Sequence, residues 1–222
     1  SSDLKGKADW YFERIIKSPT GFELLIRGID GISISNQFHL IGDHNLENLL
    51  LAIAIAHESG VDPLVIADAL PKLKGAPGRL ERVKSDKYLA LVDYAHTPDA
   101  VARALAAVKD QGKRVIAVLG CGGDRDASKR SLMGAALNEG ADIPIFTSDN
   151  PRSEDPEKIL GEMTSNLKIK PGGEVIVDRK AAILRAVEVA EPGDLILVLG
   201  KGHETGQEID GVKIPFSDQE VL

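Results

Sequence analysis

The sequence is short of several features that define large classes of protein. Its 222 residues include a single cysteine, Cys121, which excludes an internal disulfide framework and fits a reducing compartment. No apolar run approaches the roughly 20 residues that a membrane-spanning helix requires. The N-terminus also lacks the charged-then-apolar pattern of a secretion signal. We therefore expect a cytoplasmic protein with no membrane partner.

The sequence also lacks an excess of basic residues. Lys and Arg number 27 against 34 Asp and Glu, which gives a formal net charge of −7 and a pI near 5.3. Because phosphate backbones attract clustered Lys and Arg, this balance argues against a nucleic-acid partner. Nucleotide binding stays open, since an acidic protein can still bind an anion locally.

Two nucleotide-binding signatures and a metal signature are absent. Gly120–Arg125 reads GCGGDR and does not match the G-x-G-x-x-G dinucleotide fingerprint, so a nicotinamide cofactor is not supported. Gly200–Gly206 resembles a phosphate loop only superficially, because no Gly-x-x-x-x-Gly-Lys-Ser/Thr string occurs in the chain. His39, His44 and His57 have no second ligand at metal spacing, and we predict no metal site.

The hydrophobic content of 43% is enough for a substantial core, and the length suits one large domain or two modest ones. In the first region, apolar and polar residues alternate over 22–27 and 32–40 around Asp30-Gly31, which predicts a hairpin. Helical spacing predicts helices over 45–59 and 63–70. We place a domain boundary after the Gly- and Pro-containing stretch 74–79, which gives domains 1–82 and 83–222.

From about residue 85 onward, strands alternate with helices. The predicted strands are 88–92, 114–119, 143–147, 175–177 and 195–199, the predicted helices are 98–108, 128–138, 157–166 and 180–190, and a terminal hairpin is predicted at 209–212. This alternation predicts an α/β fold with a parallel sheet covered on both faces. Ligands of such sheets bind at the carboxyl ends of the strands. The loops 93–98, 120–126, 149–152 and 200–204 should therefore meet at one edge.

The loop Asp149–Arg152 combines a carboxylate, an amide and a guanidinium, with Pro151 restricting the backbone. Arginine favours bidentate contacts with carboxylates, and aspartate can pair with an amine. The loop therefore suits an amino-acid ligand. A simple turn into a helix, capped by Asp155-Pro156, explains the same residues equally well.

The other loops also have two interpretations each. The glycines of Gly120–Asp126 allow close approach to an anion, or they form a tight turn. Lys201 and His203 suit a phosphate or carboxylate, or they are solvated loop residues. His96, beside Asp93 and Tyr94, is a candidate acid or base, or a structural hydrogen-bonding residue.

Taken together, these strings resemble the Mur ligases, and within them the MurE branch that adds meso-diaminopimelate. The matching pieces, in family order, are His44-Asn45 at a helix start, Gly78-Arg79, VDYAHTPDA (92–100), GCGGDRD (120–126), SKR with LMG around Met133, DNPR (149–152) and GKGHE (200–204). The resemblance covers nearly the whole chain. It implies a Rossmann-like, mostly parallel C-terminal domain, preceded by the C-terminal part of the central ATPase domain.

The resemblance also implies an activity, that of an ATP-dependent amide ligase of peptidoglycan synthesis, with roles in cell shape and division. Its substrates are meso-diaminopimelate and UDP-N-acetylmuramoyl-L-Ala-D-Glu, joined through an acyl phosphate with ATP and Mg²⁺ as cofactors. Because the phosphate loop is missing, we expect an N-terminally truncated chain that is inactive alone. We also expect a monomer. The alternatives are a lysine-adding or other Mur-type amide ligase, or a non-catalytic amino-acid-binding module.

Residue roles follow from the same resemblance, position by position. The residues matched to diaminopimelate binding are Arg125, Asp149, Asn150, Pro151, Arg152, Gly200 and Glu204. Those matched to the nucleotide are Asn45 near adenine, and Arg79 and Asp93 near the ribose or phosphates. His96 takes the catalytic assignment, near the UDP-precursor or the phosphates.

Overall fold

The structure, a computed structural model, describes residues 8–18, 21–83, 85 and 87–222, apart from the side chains of Asp30 and His44. The chain divides into two compact units, Ser1–Gly75 and Ala76–Leu222. The predicted division at residue 82 therefore falls inside the second unit. The reason is that strand β4 (Glu81–Val83) pairs with the second unit's sheet.

The first unit is a three-stranded antiparallel sheet covered by helices. Its elements are β1 (Tyr11–Ser18), β2 (Gly21–Arg27), β3 (Ser33–Phe38), α1 (Asp43–Glu58) and α2 (Pro63–Ala69). The hairpin predicted around Asp30-Gly31 is confirmed, and Gly31 takes a φ of 78° that favours glycine. Helix α1 begins two residues before the predicted start at Asn45, so His44 lies in its first turn.

The core of the first unit follows from the two periodicities. Alternate residues of β2 face inward because successive side chains of a strand point to opposite faces. They pack against residues at helical spacing on α1, the main members being Phe22, Leu24, Ile26, Leu46, Leu49 and Ile53. Asp62 caps α2 by accepting a hydrogen bond from the Leu64 N–H at 2.7 Å.

The second unit is a six-stranded sheet in the order β4-β5-β9-β6-β7-β8. Its other strands are β5 (Leu89–Asp93), β6 (Val115–Cys121), β7 (Ile143–Ser148), β8 (Glu174–Val175) and β9 (Leu195–Leu199), and a separate hairpin is formed by β10 (Gly206–Ile209) and β11 (Val212–Pro215). All pairings in the sheet are parallel except that of β4. The predicted parallel sheet is confirmed, although β8 is shorter than the predicted 175–177.

Helices cover both faces of this sheet. They are α3 (Pro98–Val108), α4 (Ser128–Gly140), α5 (Pro156–Thr164), α6 (Arg179–Val189) and the short α7 (Asp218–Val221). α3, α4 and α5 pack in sequence along one face, and α6 packs on the other. Helix α5 begins one residue before the predicted start at 157, with Asp155 accepting from the Glu157 N–H at 2.9 Å and Pro156 in the first turn. No helix in the described ranges is long and apolar enough to cross a membrane.

The strand order creates a switch point at the centre of the sheet. After β5 the chain passes to β6 and moves outward through β7 and β8, then returns to insert β9 between β5 and β6. The loops after β5 and β6 lead to α3 and α4 on one face of the sheet, whereas the loop after β9, the strand between them, leads to the β10-β11 hairpin. A crevice at the carboxyl ends of these strands is the expected ligand site of such a sheet.

Candidate functional site

A cavity of about 370 Å³ lies at this carboxyl edge and lies wholly within the second unit. It is lined by residues from all four loops that were predicted to meet there. Of the predicted site residues, the cavity lining includes His96, Arg125, Asp149, Asn150, Arg152, Gly200 and Glu204. Basic and acidic side chains share the lining, so the cavity can hold a ligand that carries both charges.

The loop after β6 is bound tightly to the loop after β7. The Gly123 N–H donates to the Asn150 carbonyl at 2.8 Å, and a Cβ at Gly123 would collide with the Pro151 carbonyl oxygen. Asp124, with a φ of 53°, accepts a hydrogen bond from the Ser153 hydroxyl at 2.7 Å. Glycine at position 123 is therefore required by the neighbouring backbone, and this contact positions Asn150 and Arg152.

Arg152 is oriented before any ligand arrives. Its backbone has a φ of 53° and its N–H donates to the Glu208 carbonyl at 3.0 Å. Its Nη1 donates to the Gly123 carbonyl at 2.7 Å, and its Nε lies 3.3 Å from Glu208 Oε2. In the described part of the chain Nη2 has no hydrogen-bond partner. The guanidinium is thus held through Nε and Nη1, while the N–H groups of Nη2 remain for a ligand carboxylate.

A buried hydrogen-bond network surrounds Lys201 and includes the cavity-lining residues Asn150 and Glu204. Lys201 is fully buried, and its Nζ donates to Asn150 Oδ1 at 2.7 Å and to the Gly206 carbonyl at 2.8 Å. Asn150 Nδ2 in turn donates to Glu204 Oε2 at 2.9 Å. Neither interpretation of Lys201 from the sequence is right, since this side chain is neither solvated nor free to grip an anion.

Two further arginines line the cavity, and their surroundings differ. Arg125 is exposed, and its Nη1 is 3.5 Å from the Asp124 carbonyl, so most of its donors stay available. Arg130 is buried and donates to Glu154 at 2.7 and 2.9 Å and to Glu162 at 2.7 Å. Arg125 is therefore the second arginine, beside Arg152, with donors available for a ligand carboxylate.

The Arg130–Glu154 contact predicts an acid-dependent loss of stability. Hydrogen bonds from the Arg130 guanidinium and from the Asp124 N–H lower the pKa of Glu154 from 4.5 to about 2. A lowered carboxyl pKa stabilises the folded state above the unfolded-state pKa, and this stability is lost as the pH falls toward 2. In urea titrations between pH 5 and 2, the wild type should lose more stability than Glu154→Gln does. Parallel pH profiles for the two proteins would contradict this expectation.

Cys121 forms part of the cavity lining but is not suited to act as a nucleophile. Its side chain is buried, and burial together with the nearby Asp149 charge raises the pKa of the thiol to about 12. The thiolate needed for nucleophilic attack is therefore almost absent at neutral pH. In the described ranges no three His, Cys, Asp or Glu side chains group as metal ligands.

The residues assigned to the nucleotide have different surroundings. The Arg79 guanidinium is exposed and lies 5.1 Å from the ring centroid of Tyr94, which lines the cavity, although Arg79 itself is not a lining residue. The Asp93 carboxylate is buried and accepts the Leu80 and Ala95 N–H groups, both at 2.8 Å. Asn45 belongs to the first unit, where its Nδ2 donates to the Ile41 carbonyl at 2.7 Å.

His96 has features of both of its interpretations. It is exposed and lines the cavity, as an acid or base would. Its Nδ1 also lies 2.8 Å from the Tyr94 carbonyl, and its ring centroid is 4.6 Å from that of Tyr94. The tautomer with hydrogen on Nδ1 would leave Nε2 as an acceptor toward the cavity.

An ion pair between Arg179 and Asp218, which the sequence analysis did not predict, holds the strand ends next to the site. Arg179, fully buried, donates through Nε and Nη2 to both carboxylate oxygens of Asp218, at 2.8 and 2.7 Å. It also donates to the carbonyls of Leu199 at 2.9 Å and Ser148 at 3.4 Å. These are the last residues of β9 and β7, so Arg179 holds the strand ends from which the Asp149 and Gly200 loops start.

Comparison with known proteins agrees with this geometry. Residues 78–202 match the family described as Mur ligase, glutamate ligase domain. The chain belongs to this Mur ligase family. The match includes the loops after β5, β6, β7 and the start of the loop after β9, and so most of the cavity lining belongs to the Mur ligase domain.

Two curated relatives of the chain carry the same description. The UDP-N-acetylmuramoyl-L-alanyl-D-glutamate–2,6-diaminopimelate ligase of Streptomyces coelicolor is 47% identical over 97% of this chain. That of Lawsonia intracellularis is 49% identical over 82% of it. The chain spans 44% and 38% of the lengths of these two relatives. A solved structure of a ligase with the same description superposes with a TM-score of 0.78 at 40% identity, over 98% of this chain and 45% of that one.

Proposed function

We propose that this chain is the amino-acid-binding part of an ATP-dependent ligase that adds meso-diaminopimelate to UDP-N-acetylmuramoyl-L-Ala-D-Glu in the cytoplasm. The observation that carries the proposal is the charge arrangement of the cavity. Arg125 and Arg152 present guanidinium donors, while Asp149 and Glu204 contribute carboxylates to the same lining. An amino acid with an ammonium and a carboxylate at its distal end matches this pattern.

The proposal gives each side chain a binding task. Arg152, held by Gly123 and Glu208, would grip the distal carboxylate together with Arg125. Asp149 and Glu204, held by Lys201 and Asn150, would take the distal ammonium. With the distal end fixed, the second amine of the ligand is presented to the bond-forming position, and such positioning supplies a large part of the rate acceleration.

This chain supplies only part of the proposed nucleotide-binding site. Arg79 fits a phosphate or ribose, because its guanidinium is exposed beside Tyr94. Asp93 is already engaged by two backbone N–H groups, and its proposed contact with the nucleotide would use the remaining oxygen lone pairs. When bound, ATP and Mg²⁺ supply the phosphoryl group that activates the acceptor carboxylate and the charge that neutralises it. His96 is proposed to act at the rim of the cavity, near these phosphates.

The test is calorimetry or NMR titration of the 222-residue chain with meso-diaminopimelate, L-lysine and L-alanine. We expect meso-diaminopimelate to bind tightest, since it alone supplies both distal charges. Tighter binding of L-lysine would favour the lysine-adding alternative. Binding without any ligase turnover in the complete protein would favour the non-catalytic module, and no binding of any of the three would contradict the proposal.

A further inference from the structure

The buried ammonium of Lys201 contacts Asp149 and Glu204 in the binding scheme above but makes no contact of its own with the proposed ligand. It carries a full positive charge in a site with two carboxylates, its side chain is 0% exposed, and it does not line the cavity. A buried charge is costly unless the surrounding groups compensate it. The groups that compensate Lys201 are the same ones that face the proposed ligand, which links its burial to the site.

The hydrogen bonds of Lys201 leave nothing for a ligand. An ammonium has three N–H donors and no acceptor. Two of them are used by Asn150 Oδ1 and the Gly206 carbonyl, and the third by Glu204 Oε2 at 3.4 Å, while Asp149 Oδ1 lies 3.1 Å from Nζ as an ion-pair partner. Lys201 therefore acts through its neighbours and does not touch the substrate.

The charge of Lys201 sets the net charge at the end of the cavity that is lined by Asp149 and Glu204. Asp149 Oδ1 is buried and accepts no hydrogen bond within the described residues, and the Lys201 ammonium lies 3.1 Å from it as an ion-pair partner. With Lys201 in place, two carboxylates and one ammonium sum to a single negative charge. Without it, two like charges would face each other in a poorly solvated place, which is unfavourable and displaces the side chains.

We propose that Lys201 is a specificity-determining positioning residue for the amino-acid substrate, an inference that rests on the proposed function. It holds Asp149, Asn150 and Glu204 in place and keeps this end of the cavity at one negative charge. One negative charge matches one distal ammonium, while Arg125 and Arg152 match the distal carboxylate. A ligand such as L-lysine, which has the ammonium without the carboxylate, is then disfavoured.

The test compares Lys201→Met with the wild-type chain in binding to meso-diaminopimelate and L-lysine. Methionine keeps the length of the side chain and removes its charge and donors. We expect the preference for meso-diaminopimelate over L-lysine to fall about tenfold or more, because the extra negative charge favours the ligand with net positive charge. A residue that only stabilised the fold would change the binding of both ligands equally, and an unchanged preference in a folded variant overturns the proposal.

Lys170→Met is the matched control. Lys170 Nζ donates to the carbonyls of Glu139 and Ala141 at 2.7 and 2.8 Å, outside the cavity. Lys170→Met makes the same change of charge and shape as Lys201→Met. Its preference for meso-diaminopimelate over L-lysine should stay within about twofold of the wild type. If the wild-type chain binds no meso-diaminopimelate, the proposed function fails first, and that result is distinct from an unchanged preference in Lys201→Met.

A measurement on the wild-type chain covers the case in which Lys201→Met does not fold. A buried, fully bonded ammonium exchanges its hydrogens slowly, so the ¹⁵Nζ signal of Lys201 should be visible by NMR at neutral pH. On addition of meso-diaminopimelate the signal should shift and persist, since Nζ keeps its protein partners. A signal that vanishes, or that does not move at saturation, contradicts the positioning role.

Discussion

Arg152→Ala should weaken the binding of meso-diaminopimelate about 30-fold to several thousand-fold, corresponding to about 2–5 kcal/mol. The guanidinium is pre-oriented by Gly123 and Glu208, so little ordering entropy opposes its contact with a carboxylate. Truncation leaves that carboxylate desolvated and unpaired, which is the larger part of the cost. Titration of the 222-residue chain by calorimetry measures the change, and in the complete enzyme the same variant should raise the KM for diaminopimelate while sparing ATP binding.

Two controls separate this effect from general damage. L-Lysine lacks the distal carboxylate, so Arg152→Ala should change its affinity far less. Arg103→Ala removes an exposed arginine of α3, whose Nε lies 2.9 Å from Asp99, and should leave both affinities unchanged. Wild-type affinity for meso-diaminopimelate in Arg152→Ala would exclude the assignment of Arg152 to the distal carboxylate.

Arg179→Ala should lower the free energy of unfolding by about 3–5 kcal/mol. The Arg179 and Asp218 side chains are both 0% exposed, and the substitution leaves the Asp218 carboxylate and the carbonyls of Leu199 and Ser148 without their donor. A buried carboxylate without a partner carries most of this cost. Urea unfolding followed by far-UV circular dichroism measures it, with Arg103→Ala expected to change stability by less than about 1 kcal/mol.

A double variant tests whether the charge or the space is responsible. Arg179→Met combined with Asp218→Leu removes both charges and keeps most of the buried volume. It should recover much of the lost stability, because paired buried charges often stabilise no more than apolar side chains of similar size. Equal destabilisation of the single and double variants would show that the hydrogen bonds to the strand ends matter more than the ion pair.

Much of the second unit was predictable because its signals are local. The strands over 115–121 and 195–199 are apolar runs bounded by polar or Gly-rich loops, and such runs favour buried parallel strands. The start of α5 was predictable from Asp155-Pro156, since an N-cap and a proline in the first turn act within one turn. The common edge of the four loops followed from the direction of parallel strands.

Other features depend on contacts between distant residues. Strand β1 was not predicted separately, because its exposed Ile15 and Ile16 obscure the alternation. The boundary between the units lies earlier in the sequence than predicted, because β4 pairs with β5 and so belongs to the second unit. Local composition does not indicate this contact. Arg179 and Asp218 are 39 residues apart, and neither residue type favours burial in isolation.

The sequence by itself determined the alternation of strands and helices from β5 to β9, the chemistry of each loop and the resemblance to the Mur ligases. These depend on residue types and short spacings, which are written directly in the chain. Only the tertiary structure decided that Lys201 is buried and bonded to Asn150, that Arg130 is neutralised by its neighbours, and that Arg125 and Arg152 keep donors for a ligand. A sequence does not distinguish a charged side chain that is free to bind a ligand from one that is already hydrogen-bonded. The reason is that the partners come within hydrogen-bond distance only in the folded chain.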